Sequence, residues 1–198
     1  MNRIVLASDN PGKIREFNEL LAPRGIEVAA QGSLGVTPAE EPFGTFLENC
    51  LAKARNAARQ TGLPAFADDS GICADALGGM PGVHSARFAG EPKSDARNNA
   101  LLVSKLAGEK NRAAHYVCVL VALKSADDPD PLVATGAWAG EIIDSPRGEN
   151  GFGYDPYFLV KEFGRTAAEL TAEEKNGVSH RGQAMRMMSE LMRERWGW

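Results

Sequence analysis

The opening of the chain alternates strand-like and helix-like segments, and this alternation constrains the fold more than any other feature. Ile4–Ala7 is an apolar run typical of a buried strand, and the polar segment Ser8–Gly12 follows it. Apolar residues then recur at helical spacing from Ile14 to Leu21, and Ile26–Ala30 has the character of a second strand. A strand, a polar loop, a helix and another strand predict an α/β protein.

The later segments continue this mixed pattern. Thr45 with Glu48 has the form of a capping box before a helix, and Ala65–Ala67 is a short strand that runs into Asp68. The other predicted elements are a helix, an antiparallel strand pair and a last helix: Ser94–Leu106, Tyr116–Leu123 with Leu132–Ile143, and the residues after Arg181. The inner face of the last helix is predicted to hold Ala184, Met187, Met188 and Leu191. We expect residues 1–198 to form one domain.

Charge and cysteine content argue against several classes of protein. The chain has 22 basic and 26 acidic residues, a formal net charge of −4, so no basic excess favours nucleic acid. The cysteines number three, an odd count, and include no C-x-x-C pair, which argues against a disulfide framework and a thiolate zinc site. The longest apolar run, Tyr116–Leu123, is far shorter than the roughly 20 residues of a membrane span. Because no targeting segment stands at the start, we expect a cytoplasmic protein.

The polar loop after the first strand is the first candidate site. Its residues are Ser8, Asp9, Asn10, Pro11, Gly12 and Lys13. Backbone N–H groups at a helix start, a glycine and a lysine can together hold a phosphate group. The loop is not a Walker A motif, because Ala7 and Ile14 stand where that motif requires glycine and a hydroxyl residue. An ordinary helix cap with a solvated Lys13 is the alternative interpretation.

Adjacent carboxylates after the third strand form the second candidate site. Asp68 and Asp69, followed by Ser70, offer oxygen ligands of the kind that Mg²⁺ prefers. Glu40 or Glu41 could supply a further carboxylate. Two neighbouring acids are costly unless a cation or water compensates them. A solvated turn is the alternative interpretation.

Two later segments could bind the rest of a ligand. Gly151–Pro156 has two glycines around an aromatic residue, so Phe152 or Tyr154 could offer a face on which a nucleobase stacks. Lys175 and His180–Arg181 lie close to the start of the last helix and could donate hydrogen bonds to carbonyl or phosphate oxygens. The structural alternatives are a loop packed on the core by its aromatics and a capped helix with an exposed arginine.

Taken together, these segments resemble the Ham1/RdgB family, the inosine triphosphate pyrophosphatases. The resemblance covers nearly the whole chain and rests on ordered motifs at Ser8–Lys13, Thr45–Asn49, Ala67–Gly71, Leu77–Gly82, Gly151–Pro156, Glu173–Lys175 and Ser179–Gly182. It implies a single two-lobed α/β domain, with an elongated central mixed β-sheet flanked by helices and the active site in the cleft between the lobes. It also implies a homodimer.

The resemblance implies Mg²⁺-dependent hydrolysis of non-standard purine nucleotides. ITP, dITP, XTP and dXTP would give the monophosphate and pyrophosphate, which cleanses the nucleotide pool. By motif match, Asp69 is the general base and a metal ligand, and Glu40 is the second metal ligand, with Glu41 as the alternative. The other matched residues would bind the nucleotide: Ser8, Asp9, Asn10, Pro11, Gly12, Lys13, Ser70, Phe152, Gly153, Tyr154, Asp155, Lys175, His180 and Arg181.

Several details and competing functions stay open at this point. A binding module for nucleotides or RNA, without catalysis, is one alternative, and a hydrolase of ordinary or pyrimidine nucleotides is another. Asp9 stands where many family members have a small residue, so its carboxylate is expected to face away from the phosphates or toward the metal. His180 and Arg181 are candidate donors to the 6-oxygen of the purine, and no residue is assigned to the rejection of guanine. The strand pair around Tyr116 and Trp138 is a candidate dimer contact, because exposed aromatics there would favour association, although Trp138 could equally belong to the core.

Overall fold

The computed structural model describes residues 2–198 and confirms a mixed sheet flanked by helices. Within these residues, seven strands lie in the order β2-β1-β3-β4-β5-β6-β7. The strands are β1 Asn2–Leu6, β2 Ile26–Ala30, β3 Ala65–Ala74, β4 Ala113–Leu123, β5 Leu132–Ile142, β6 Phe158–Val160 and β7 Arg165–Thr166. The helices are α1 Pro11–Leu21, α2 Phe46–Thr61, α3 Asp95–Lys105, α4 Ala172–Val178 and α5 His180–Trp196. β1 is parallel to β2 and β3, whereas β6 is antiparallel to β5 and β7.

The chain divides into two compact units, each with its own core. The first unit comprises residues 2–69, Val119–Thr135 and Ala184–Trp198, and the second comprises Ser70–Cys118 and Gly136–Gln183. In the first unit, the rings of Phe17 and Phe66 pack with their centroids 4.4 Å apart. In the second unit, the core is built around Tyr116, Trp138 and Phe158. No helix among residues 2–198 is both long and apolar enough to span a bilayer.

Helix boundaries follow from side chains that bind free backbone groups. The hydroxyl of Thr45 accepts a hydrogen bond from the Glu48 N–H, which confirms Thr45 as the cap of α2. The Glu48 carboxylate accepts from the Thr45 hydroxyl instead of the Thr45 N–H, so the predicted capping box is only half formed. Ser94 caps α3 in the same way, through the Arg97 N–H. α2 ends at Thr61, and the next residue, Gly62, has a φ of 68° in the left-handed region that glycine adopts without strain.

Strand β3 differs from the prediction in a way that changes the acidic site. It continues to Ala74 instead of ending near Ala67, so Asp68 and Asp69 lie within the strand. Asp68 is 1% exposed and Asp69 is 9% exposed. The interpretation of these two residues as a solvated turn is therefore wrong.

Two predictions about apolar surfaces are also wrong. Met187 is 44% exposed, and the buried stripe of α5 consists of Ala184, Met188 and Met192, which are four residues apart. Tyr116 and Trp138 are buried in the core of the second unit, so they offer no exposed aromatic surface for a dimer contact. The short elements α4, β6 and β7 have no counterpart among the predicted elements, because two to seven residues are too few to show a period.

Candidate active site

The loop between β1 and α1 is organised by its own polar side chains. The side-chain oxygen of Asn10 accepts hydrogen bonds from the N–H groups of Gly12 and Lys13, at 2.9 and 3.2 Å. The Lys13 ammonium lies 2.7 Å from Asp68 Oδ2 on β3. Lys13 is therefore not a solvated surface lysine, because the fold holds it against the acidic strand. A helix start and a fixed cation next to each other are suited to an anion.

Asp9 faces a different part of the first unit. Its Oδ1 accepts a hydrogen bond from the Gly32 N–H at 2.7 Å, and its Oδ2 accepts one from Gln31 Nε2 at 3.1 Å. A Cβ atom at Gly32 would lie only 2.5 Å from Asp9 Oδ1. A carboxylate engaged in this way positions the loop against the residues that follow β2.

Lys53 of α2 joins the carboxylates, and sequence reasoning missed it. Its Nζ lies 3.0 Å from Glu41 Oε2 and 3.3 Å from Asp69 Oδ1, and its side chain is only 13% exposed. Helical spacing is the sequence signal that could have identified Lys53, because it places Lys53 on the same face of α2 as the buried residues Cys50 and Ala57. A lysine within a buried stripe needs a charge partner, and the partners here are acids.

The two candidate glutamates occupy different environments. Glu40 is exposed, whereas Glu41 is partly buried and contacts the same ammonium that contacts Asp69. The geometry thus brings Glu41 into the acidic cluster of Glu41, Asp68 and Asp69. Its charge also acts on Asp69 electrostatically.

The acidic cluster fits a divalent cation. Burial raises the pKa of Asp69, and the charges of Glu41 and Asp68 raise it further, while Lys53 opposes them. Asp69 Oδ2 is buried and has no hydrogen-bond partner within residues 2–198. Across the same residues, no group of three or more His, Cys, Asp or Glu could hold a metal alone. Mg²⁺ needs only one or two carboxylates, because water and phosphate oxygens complete its coordination.

In the second unit, an exposed aromatic ring lies beside two cations. Phe152 is 64% exposed, and its ring centroid is 5.2 Å from Lys175 Nζ and 6.0 Å from Arg181 Cζ. Arg181 Nη2 is 3.4 Å from the hydroxyl of Ser70. A nucleobase can stack on the exposed ring, and the neighbouring cations can donate hydrogen bonds to the edge of that base.

Asp155 is buried beneath that ring and acts on its neighbours. Its Oδ2 accepts hydrogen bonds from the Phe152 N–H at 2.9 Å and from Lys175 Nζ at 2.5 Å. Its Oδ1 accepts one from the hydroxyl of Tyr116 at 3.2 Å. Because Asp155 is only 3% exposed, it holds the loop and Lys175 in place.

Two further predicted residues of the second unit, Tyr154 and His180, are also buried. Tyr154 is 5% exposed, and its hydroxyl donates a hydrogen bond to the Ser85 carbonyl at 2.7 Å. This leaves Phe152 as the available stacking face of the loop. His180 begins α5, as predicted, and stacks on Tyr116 with centroids 4.6 Å apart.

Comparison with known proteins gives consistent matches over nearly the whole chain. The model of the Ham1 family matches residues 4–191. The chain is 64% identical to the dITP/XTP pyrophosphatase of Ralstonia nicotianae, over 98% of both chains. It is 58% identical to the dITP/XTP pyrophosphatase of Nitrosomonas europaea, over 98% of this chain and 96% of the relative. A solved HAM1 protein from Coxiella burnetii superposes with a TM-score of 0.95 at 47% identity, covering 98% of this chain and all of the other.

Proposed function

The chain belongs to the Ham1 family, and we propose on this premise that it hydrolyses dITP, ITP and XTP to the monophosphate and pyrophosphate. Its relatives are dITP/XTP pyrophosphatases. The observation that carries the proposal is the pairing of Lys13 with Asp68 and of Lys53 with Asp69 on neighbouring elements of the first unit. A module that only bound phosphate would gain nothing from buried acids, whereas hydrolysis needs both a base and cations.

The first unit would hold the triphosphate and activate the water. The loop Ser8–Lys13 binds phosphate oxygens through the side-chain donors of Ser8 and Asn10, because the N–H groups of Gly12 and Lys13 already bind Asn10 Oδ1. Lys13 offsets the charge of the leaving pyrophosphate. Asp69 orients the attacking water and accepts its proton, and Lys53 holds that carboxylate in place. Asp69 and Glu41 would bind Mg²⁺. We prefer Glu41 to Glu40 as the second ligand because Glu41 contacts Lys53, which also contacts Asp69. When bound, Mg²⁺ would make the water more acidic and neutralise phosphate charge.

The second unit would recognise the purine. Phe152 stacks on the base, and Lys175, His180 and Arg181 supply donors near its edge. A donor aimed at the 6-oxygen of the purine would face the 6-amino group of adenine, which is itself a donor. Each buried group left unpaired in this way costs about 1–3 kcal/mol. The homodimer, the single domain and the cytoplasmic location stay predictions.

The proposal is tested by pyrophosphate release from ITP, dITP, XTP, GTP, ATP and dUTP, with Mg²⁺ and with EDTA. We expect kcat/KM for ITP, dITP and XTP to exceed that for ATP by at least roughly 5-fold, which is the effect of one unpaired group at the lower end of this range. EDTA should abolish release. Equal turnover of ATP or dUTP would show a general nucleotide hydrolase, and binding without release would show a module without catalysis.

Replacing Phe152 tests the stacking role separately. We expect Phe152→Ala to raise KM for ITP by about 10-fold and to change kcat little, because stacking on an aromatic ring contributes about 1–3 kcal/mol per base. Phe163→Ala is the matched control, since the Phe163 ring also faces a guanidinium, with Arg165 Cζ 5.8 Å from its centroid. KM should stay unchanged in that variant. An unchanged KM in Phe152→Ala would remove stacking from the proposal.

A further inference from the structure

Two side chains of α3 hold the backbone next to the exposed Phe152 ring. The Gly153 N–H donates to Asp95 Oδ2 at 2.8 Å, and the Gly153 carbonyl accepts from Asn99 Nδ2 at 2.8 Å. Side chains of one helix thus bind both the backbone N–H and the backbone carbonyl of Gly153. Neither Asp95 nor Asn99 belongs to the motifs that predict the nucleotide site.

The helix that carries these side chains is itself well fixed. Asp95 and Asn99 are four residues apart and therefore lie on the same face of α3. Asn99 is 5% exposed, and its Nδ2 also donates to the Asp95 carbonyl at 2.9 Å. Ser94 caps the helix directly before Asp95. A buried amide with two backbone acceptors leaves the Gly153 peptide little freedom.

Phe152 is therefore held by hydrogen bonds on both sides while its ring projects outward. On one side, its own N–H donates to Asp155 Oδ2 at 2.9 Å. On the other side, Asp95 and Asn99 bind Gly153. We propose that Asp95 and Asn99 are positioning residues for the nucleobase, because they hold Phe152 ready to stack before the nucleotide arrives. This inference rests on the stacking role of Phe152 in the proposed function.

Loss of this clamp, the pair Asp95 and Asn99, should weaken binding more than it slows chemistry. Without it, binding would have to order the loop, and ordering a flexible segment costs affinity. We expect Asp95→Ala to raise KM for ITP by roughly 3- to 10-fold, with kcat within about twofold of the original. Asp95→Asn keeps a carbonyl oxygen that can accept from Gly153, so it should restore most of the affinity.

A double-mutant cycle separates positioning from general stability. KM for ITP, at saturating Mg²⁺, is measured for Asp95→Ala, Phe152→Ala and the double variant. In the Phe152→Ala background, Asp95→Ala should change KM less than twofold, because the ring that it positions is gone. Equal effects in both backgrounds would overturn the proposal. Asn99→Ala is run through the same cycle and decides the question if Asp95→Ala does not fold.

Asp128→Ala serves as the matched control for loss of a backbone-binding carboxylate. Asp128 accepts hydrogen bonds from the N–H groups of Lys124 and Asp130, at 2.8 and 3.0 Å. Its replacement should lower Tm as Asp95→Ala does but leave KM unchanged. If Phe152→Ala leaves KM unchanged, stacking fails and the clamp fails with it. If Phe152→Ala raises KM and Asp95→Ala does not, only the clamp is wrong.

Discussion

Asp69→Asn is expected to lower kcat for ITP by about 10³-fold, the middle of the range for loss of a general base, while the nucleotide still binds. The amide keeps the size of the side chain but cannot take a proton from water. It also weakens a metal ligand whose second oxygen is buried without a hydrogen-bond partner within residues 2–198. The substitution leaves the loop Ser8–Lys13 and Phe152 unchanged, so the Kd of the nucleotide should change much less than kcat.

Stopped pyrophosphate-release assays give kcat, and calorimetry with ITP and Ca²⁺ in place of Mg²⁺ gives the Kd. Asp127→Asn, an identical change at an exposed position, should behave as the original protein. Near-full turnover of Asp69→Asn at saturating Mg²⁺ would show that another group is the base.

Lys53→Met should abolish most activity and also destabilise the protein. Methionine keeps the length of the side chain but leaves Glu41 and Asp69 without their shared cation. Breaking a buried ion pair from one side costs about 3 kcal/mol, which corresponds to roughly 6–12 °C in Tm for a chain of this size. The Lys53 and Asp69 side chains are only 13% and 12% exposed, so water compensates little.

The pH dependence of Tm distinguishes lost charge from lost packing in Lys53→Met. Burial already raises the pKa of Asp69, and removing the nearby ammonium raises it further. A group whose pKa is higher in the folded state stabilises the fold when protonated, so the variant should gain stability as the pH falls. Burial alone would lower the pKa of Lys53, but the surrounding carboxylates raise it above its ordinary value, so the Lys53 ammonium of the original protein stays charged in the neutral range. A Tm deficit that is the same at pH 5 and pH 8 would contradict the electrostatic explanation.

Elements whose own residues determine their conformation were predictable from the sequence. β2 lies at Ile26–Ala30 as predicted, and α2 begins directly after its Thr45 cap. Local caps and apolar runs need no partner to be recognised. The length of β3 could not be derived in this way, because Asp68 and Asp69 disfavour a strand unless lysines from elsewhere in the fold neutralise them.

The candidate site was predictable by residue type but not by role. The sequence identifies Lys13, Asp69 and Phe152 as candidates. The contact between Lys53 and Asp69, however, joins residues that are 16 positions apart and lie in different elements, so it depends on the tertiary fold. The glutamate beside Asp69 depends on the path of the segment before α2, which has no periodic pattern. For Asp155, the hydrogen bonds with Phe152, Lys175 and Tyr116 indicate a supporting role, and these contacts depend on tertiary packing that the sequence does not show.

The tight approach of Gly32 to Asp9 has an evolutionary consequence. Gly32 has no unusual backbone conformation, and the nearest obstacle to a side chain there is the Asp9 carboxylate, which is held in place by its hydrogen bonds with the Gly32 N–H and Gln31. Shortening position 9 would open that space, and position 32 could then accept alanine or serine. The two positions should therefore covary among descendants of this chain, with the change at 9 coming first and the reverse order passing through a damaged intermediate.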